Sequence, residues 1–339
     1  MAELRAGVIG CGWAGGYHAQ AYAAHPQVEL AAVCDLLPDR AEALAAQYAC
    51  RAYARVEEML AREALTVVSI ATTTETHVQL IRMCLQAGAA AFCEKPLARD
   101  RQAAEAVVRE AARAQLPLGV NYNRRYAAGY VKAKEWVVRA KPIHYASAVL
   151  AQNVPLAQTE ALRASLPGDF LIYDAASHLI DLFRHLIGEP ETLCAHGAPS
   201  APGSLLTDLS VSLRFAGGAV GSLVCSLAGP EWGQLPVERL EIGGAAERLV
   251  VDNITQAVSW FGYRDEAERR WQPSIFSPQG YGESLLLSIR AWIDACLQGQ
   301  SPPVSGEDAL QTLRVCEQIA TSVAAHAAHP VAQGNDHCT

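Results

Sequence analysis

The residues with the clearest chemical meaning are three glycines. Gly10-x-Gly12-x-x-Gly15 follows a short apolar run, residues 6–9, at the point where a strand would give way to a helix over 14–24. Such a turn suits a dinucleotide. Gly10 permits the tight turn, Gly12 lets the backbone approach a pyrophosphate, and Gly15 lets the helix pack closely on the strand. The phosphates would lie on unpaired N–H groups at the helix start, beside Trp13 and Ala14, where the helix dipole favours negative charge. A second apolar run, 28–34, ends in Asp35, 20 residues after Gly15 and close to the spacing of a carboxylate that binds the adenosine ribose. A carboxylate there accepts from a 2′-hydroxyl and repels a 2′-phosphate, so NAD is expected over NADP. Arg40 could bind a phosphate, although Pro38-Asp39-Arg40 reads better as the start of the next helix.

Glu94-Lys95-Pro96 directly follows another apolar run, 90–93. Ligands of open α/β sheets collect at that end of the strands. Beside a nicotinamide and a substrate hydroxyl, the Lys95 ammonium would polarise the C–O bond and stabilise developing alkoxide. The competing reading is an exposed loop lysine next to a glutamate. Asp174 and His178, four residues apart in a helical stretch running to His185, share one face. A histidine oriented by a carboxylate suits a general base that takes a hydroxyl proton as hydride leaves, while a structural histidine remains open. Asp181, Arg184 and His185 read as an ion-pair face. Asn121, Tyr122, Arg125 and their neighbours in the run 121–126 could hydrogen-bond a polyol or carboxylate, or could fix a hinge.

The elements that must hold these groups follow from periodicity. Helices are expected over 38–48 and 56–62, a buried strand over 66–71, a helix capped by Thr74 and closed by Gly88, a strand at 90–93, a helix over 101–114 and a strand at 117–120. Near-continuous apolar strands alternating with helices predict an α/β domain with a doubly wound parallel sheet. Farther on, Leu209, Val211, Leu213 and Phe215 alternate with polar residues and lead through a Gly-Gly turn into a second strand ending at Leu227. Strands at 143–150, 238–242, 248–251 and 257–261 complete an α+β domain on an antiparallel sheet. Helices over 283–298 and 305–325 close the chain, the second with a Ser305/Asp308 capping box. The expected division is 1–121, 122–281, closing helices 282–330 and a flexible tail 331–339.

Composition narrows the function. The 339 residues suffice for two domains, and with 51% hydrophobic and 18% charged residues the chain can bury a large core. A net charge of −8 gives no basic footprint, so nucleic acid is not the expected partner. No apolar run reaches the ~18 residues of a bilayer span, and no leader precedes the first strand, so a cytoplasmic protein is expected. The ten cysteines include no Cys-x-x-Cys pair and read as reduced structural thiols. No metal site is expected; His326 and His329 have a usable spacing but sit in an Ala-rich tail.

Taken in order, the glycine turn, Asp35, Ala71-Thr72 leading into His77, Glu94-Lys95-Pro96, Asp174-x-x-x-His178 and the helix after Pro303-Val304-Ser305 resemble the Gfo/Idh/MocA oxidoreductases over nearly the whole chain. The resemblance implies a Rossmann domain joined to a large, mostly antiparallel open sheet whose free face makes dimer or tetramer contacts. It implies hydride transfer between NAD(P) and a hydroxyl of a sugar or cyclitol, with Lys95 orienting and polarising the hydroxyl, His178 taking its proton and Asp174 binding substrate or tuning that pair. Ala71, Thr72, Thr73, His77, Glu94 and Lys95 then join the cofactor contacts, and Asn121, Tyr122, Arg125, Asp174 and His178 the substrate contacts. Two positions depart from the pattern: Thr73 stands where many members have proline, and Gly88-Ala-Ala-Ala91 replaces a Gly-Lys-His run. An NAD-dependent glycosidase with no net redox change, and a non-catalytic NAD-binding regulator, are the rival readings; specificity is expected to reside in loops 152–167 and 232–235.

Overall fold

A computed structural model describes residues 3–151, 168–199, 205–227, 237–264, 268–273 and 281–326. The expected specificity loops and the tail 331–339 lie outside the described residues. By contacts the chain forms two compact units: Met1–Val138 with Val251–Ser259 and Arg269–Arg314, and Arg139–Val250 with Trp260–Glu268 and Val315–Thr339.

The first unit opens with β1 (Leu4–Ile9), α1 (Trp13–Ala24), β2 (Val28–Cys34), α2 (Pro38–Tyr48), β3 (Arg51–Tyr53), α3 (Val56–Glu63), β4 (Val67–Ile70), α4 (Thr74–Gln86), β5 (Ala90–Glu94), α5 (Arg101–Ala114) and β6 (Leu118–Asn121). The strands make a six-stranded parallel sheet in the order β3-β2-β1-β4-β5-β6. Order reverses between β1 and β4, which is where such sheets open a crevice. Strands β4, β5 and β6 are buried along nearly their whole length, hence their near-continuous apolar runs. Alternation with helices is as expected, but β3 carries only three residues, two of them exposed, and has no apolar run to announce it. Helix α4 starts at Thr74 with Thr73, not Thr74, in the cap position; no side chain caps it, and Thr76 Oγ instead donates to the Thr73 carbonyl. Helix α5 buries Ala104, Val107, Val108 and Ala111, one face of a 3.6-residue period, and Asp100 caps it by accepting the Ala103 N–H at 2.7 Å, a bond contributing about 1 kcal/mol.

After β6 come a 3₁₀ turn (Asn123–Tyr126), α6 (Ala128–Ala140), β7 (Ile143–Ala151), a π-helical turn (Leu171–Ala176), α7 (Ser177–Leu186), β8 (Pro190–Pro199), β9 (Leu206–Phe215), β10 (Val220–Ser226), β11 (Val237–Gly244), β12 (Glu247–Asp252), β13 (Ala257–Gly262) and β14 (Arg269–Trp271). Two helices follow, α8 (Tyr281–Leu297) and α9 (Gly306–His326). The eight strands form one sheet, β14-β13-β12-β11-β7-β10-β9-β8, mostly antiparallel, with β10 and β7 running parallel. The expected strands are present, joined by β8 and β14, which periodicity did not mark. Ser305 Oγ accepts the Asp308 N–H at 3.2 Å, the first half of the expected capping box.

One part of the first core arrives late in the chain. Ile289, Trp292 and Ile293 of α8 join Ala19, Tyr22, Val33, Val67 and Phe92 in a single apolar cluster. Trp292 is 1% exposed and stacks on Phe92 with ring centroids 5.1 Å apart. Burying an aromatic side chain of this size contributes about 3 kcal/mol.

Candidate functional site

The glycine turn is held by its neighbours' backbones. Gly10 N–H donates to Cys34 O and Ala71 N–H to Ile9 O, each at 2.8 Å, which ties the ends of β1, β2 and β4 together. Gly10 has φ +93°, and a Cβ there would lie 2.3 Å from Ala71 O. A Cβ on Gly15 would lie 1.8 Å from Gly10 O. Gly12 differs: a Cβ there would meet nothing within 4 Å. The protein fills the space around two of the glycines and leaves the space at Gly12 open, as a pyrophosphate lying on the turn requires.

A cleft of about 710 Å³ opens at this point, lined by Gly10, Gly12, Asp35, Arg40, Ala71, Thr72 and Thr73 among others. Asp35 is fixed in it: Oδ2 accepts the Cys11 N–H at 2.7 Å and Oδ1 the Leu37 N–H at 2.9 Å. Burial, then the Asp35 charge, pushes the Cys11 thiol up to about 12, so it stays neutral beside the cleft. Trp13 is the first residue of α1, 62% exposed, with its ring edge-on to Tyr17. The cleft size, the open glycine and the tethered carboxylate together fit a dinucleotide.

Glu94 ends β5, and its carboxylate terminates a buried chain of polar groups. Trp292 Nε1–H donates to Tyr22 OH (3.2 Å); Tyr22 OH meets Ser69 Oγ (2.9 Å); Ser69 Oγ meets His18 Nδ1 (2.8 Å); His18 Nε2 meets Glu94 Oε1 (3.1 Å). Indole can only donate and a carboxylate can only accept, so Trp292 Nε1–H donates to Tyr22 at one end of the chain and His18 Nε2–H donates to Glu94 at the other. Asn121 Nδ2 adds a bond to Glu94 Oε1 at 2.7 Å. Burial pushes the Glu94 carboxyl up, but the bonds from His18 and Asn121 and the charges of His18 and Lys95 outweigh it and hold the pKa below the ordinary 4.5.

Lys95 follows, half-buried, joined to Pro96 by a cis peptide bond. His77 is fully buried, with Nδ1 2.9 Å from Pro96 O and Nε2 3.2 Å from Thr72 O. Burial lowers its pKa from the ordinary 6.5 despite these carbonyls, which favours the neutral ring, whose one proton serves one of the two carbonyls. His77 therefore bonds protein backbone, holding the Lys95-Pro96 turn beside Thr72 of the cleft.

Of the residues weighed for substrate, Asn121 is spent in part on Glu94, while its buried Oδ1 has no hydrogen-bond partner among the described residues. Tyr122 is 1% exposed, and Arg125 pairs with Asp308 of α9 at 2.7 Å. In the second unit the stretch bearing Asp174 and His178 is helical, but its first turn, Leu171–Ala176, is π-helical before α7 begins at Ser177. Such turns occur preferentially where a helix presents functional side chains. Asp174 is half-buried and His178 is 4% exposed. Arg184 pairs with Glu189 beyond the helix at 2.7 Å. His18 and Tyr22 carry no functional signal in the sequence, being polar residues on a helix with little amphipathic pattern, although His18 stands three residues past Gly15.

Fold and cleft define the first unit as a nucleotide-binding Rossmann domain. Comparison with known families agrees: residues 4–122 match the model described as "Oxidoreductase family, NAD-binding Rossmann fold", and residues 140–250 the GFO/IDH/MocA C-terminal domain. The chain belongs to this family and is an NAD-dependent oxidoreductase. It is 26% identical over 325 residues to a myo-inositol 2-dehydrogenase of Thermotoga maritima, covering 91% of this chain and 93% of that one. It is 29% identical over 336 residues to a D-apiose dehydrogenase of Paraburkholderia graminis, covering 93% and 86%. An oxidoreductase from Agrobacterium radiobacter, solved with NAD+, L-tartaric acid and magnesium, superposes with a TM-score of 0.85 at 24% identity, covering 95% and 96%. No helix among the described residues is long and apolar enough to cross a membrane.

Proposed function

We propose that the protein oxidises a ring hydroxyl of a sugar or cyclitol, such as an inositol or a pyranose, with NAD as acceptor. NAD, when bound, supplies the hydride acceptor. Lys95 polarises and orients the reacting hydroxyl and stabilises the alkoxide character that grows on its oxygen. His178 takes the hydroxyl proton, and Asp174 binds substrate or tunes the pair. The observation that carries the reading is the placement of Lys95: it follows a carboxylate fixed by His18 and Asn121, in a turn that His77 ties to Thr72 of the cofactor cleft. The cyclitol and sugar dehydrogenases among its relatives support the substrate class.

The test is NADH formation across inositols, aldoses and anhydrosugars, with NAD and then NADP. One class of polyol should give turnover that Lys95→Ala and His178→Ala each lose while retaining NAD binding. Near-wild-type rates in both variants overturn the residue assignment. Release of an aglycone from aryl glycosides without NADH accumulation overturns the dehydrogenase in favour of the glycosidase.

The protein is further expected to work as a homodimer or homotetramer through the outer face of the second sheet. There Val149, Val220, Val224 and Val237 are 39%, 56%, 43% and 44% exposed on the neighbouring strands β7, β10 and β11. Light scattering after gel filtration decides this, with Val224→Lys as the disrupting variant.

A further inference from the structure

Far along the second unit, three metal-ligating side chains converge. Cys194 and His196 occupy alternate positions of β8, the edge strand of the second sheet, and so leave the same face. His326 is the last residue of α9. Cys194 Sγ lies 3.7 Å from His326 Nε2 and 3.8 Å from His196 Nε2, and the two imidazole centroids are 4.6 Å apart. All three donor atoms fall within 4.8 Å of one another, the one such trio among the described residues. Tetrahedral zinc with ordinary Zn–S and Zn–N bonds sets sulfur and nitrogen about 3.6 Å apart. The two sulfur–nitrogen edges are thus already near the length a bound ion requires.

The surroundings prepare one ligand for that task. His326 Nδ1 lies 2.9 Å from Ser322 O and 3.1 Å from Ala195 O, two carbonyls that can only accept. Its proton therefore sits on Nδ1, and the Nε2 lone pair faces Cys194, as a carbonyl behind a ligating histidine commonly arranges. Ser322 Oγ accepts the Ala195 N–H at 2.9 Å, fixing the helix end to the strand from which Cys194 and His196 project. The cross-strand neighbours of Cys194 and His196 are Ser212 and Ser210, short and uncharged. A cation here also lies at a helix C-terminus, where the dipole favours positive charge.

We propose that Cys194, His196 and His326 form a binding site for a zinc-type divalent cation. Cys194 binds as thiolate, releasing its proton to solvent, and both histidines bind through Nε2, with water completing a tetrahedron. The ion would clamp the end of α9 to the edge strand. Sequence spacing coupled His326 to His329, which lies outside the described residues; the partners were hidden because β8 carries no periodic signal.

Chelator-stripped, untagged full-length protein titrated with cobalt(II), as a spectroscopic substitute for zinc, decides the matter. One equivalent should give a thiolate-to-cobalt charge-transfer band and the visible bands of a tetrahedral ion, both removed by one equivalent of zinc. Cys194→Ser should abolish the charge-transfer band. His196→Gln and His326→Gln should each weaken binding at least about 10-fold. His196 is exposed, so its variant keeps the test valid if another fails to fold, as judged by NADH binding. Absence of cobalt binding in the wild type, or a thiolate band that survives Cys194→Ser, overturns the proposal.

Discussion

His18 Nε2 and Glu94 Oε1 are hydrogen-bonded at 3.1 Å beneath the residue proposed to polarise substrate. His18 is fully buried and the Glu94 side chain 15% exposed, so removing either partner strands a buried polar or charged group. His18→Ala should destabilise the fold by about 3 kcal/mol, read from urea unfolding. It should also lower kcat more than NAD affinity, because the displaced element is the turn that carries Lys95.

Glu94 also makes stability depend on acid. Its folded pKa is below the ordinary 4.5, so the unfolded chain binds the proton more tightly. The contribution is complete above pH 4.5 and is lost as pH falls through the depressed value. Glu63, held low against burial by Tyr53, Arg51 and Arg5, acts in the same direction. Glu94→Gln should therefore flatten part of the decline in unfolding free energy below pH 4.5 and leave the part due to Glu63. An unchanged slope would show that Glu94 takes no part in it.

The glycines of the turn should separate folding from binding. Gly15→Ala sets a methyl group into the Gly10 carbonyl and should unfold or severely destabilise the protein. Gly12→Ala meets no protein atom and should leave the melting temperature within a few degrees, while weakening NAD binding 10-fold or more, measured by calorimetry. Equal loss of stability in both variants would refute the distinction.

Asp35 should set the nucleotide preference. Asp35→Ala removes the ribose acceptor and the charge that opposes a 2′-phosphate, so the ratio of kcat/KM for NAD over NADP should fall about 100-fold, mainly through KM. Cys11 and Leu37 lose their tether in the same variant. Asp35→Asn, which keeps an acceptor for one of those N–H groups, separates loop order from charge.

His77 predicts a second pH effect, of the same sign as that of Glu94 but at higher pH. Its pKa is lowered from 6.5 by burial, so the folded state prefers the neutral ring. Its contribution is complete above pH 6.5 and declines as pH falls through the folded value. His77→Gln should reduce this decline and lower turnover about 10-fold with NAD binding retained, since the Pro96 carbonyl keeps a donor of different reach.

Legibility followed burial pattern. β2 is readable to the residue because every residue of Val28–Cys34 except Glu29 is buried and the strand ends at Asp35. β3 and β8 were invisible, the one too short and the other an edge strand whose outward residues are mixed. The glycine turn, Asp35 and Lys95 could be found from spacing because their geometry is local. The His18–Ser69–Tyr22–Trp292 chain could not, since it joins residues up to 270 positions apart. The π-helical turn before α7 also escaped, because the hydrophobic pattern of one wide turn is indistinguishable from that of an α-helix.

The late arrival of Trp292 in the first core bears on how the molecule is made. A ribosome that has released residues 1–121 has delivered all six strands of the parallel sheet, yet not the indole that stacks on Phe92 or the two isoleucines beside it. The nascent sheet must wait, with that apolar surface uncovered, until translation has passed Leu297. At the usual ~5–20 residues per second this is an interval of about 10–35 seconds. During it the unfinished unit is a natural client for chaperones, and a gene fragment cut after residue 121 would yield a sheet permanently arrested at that stage.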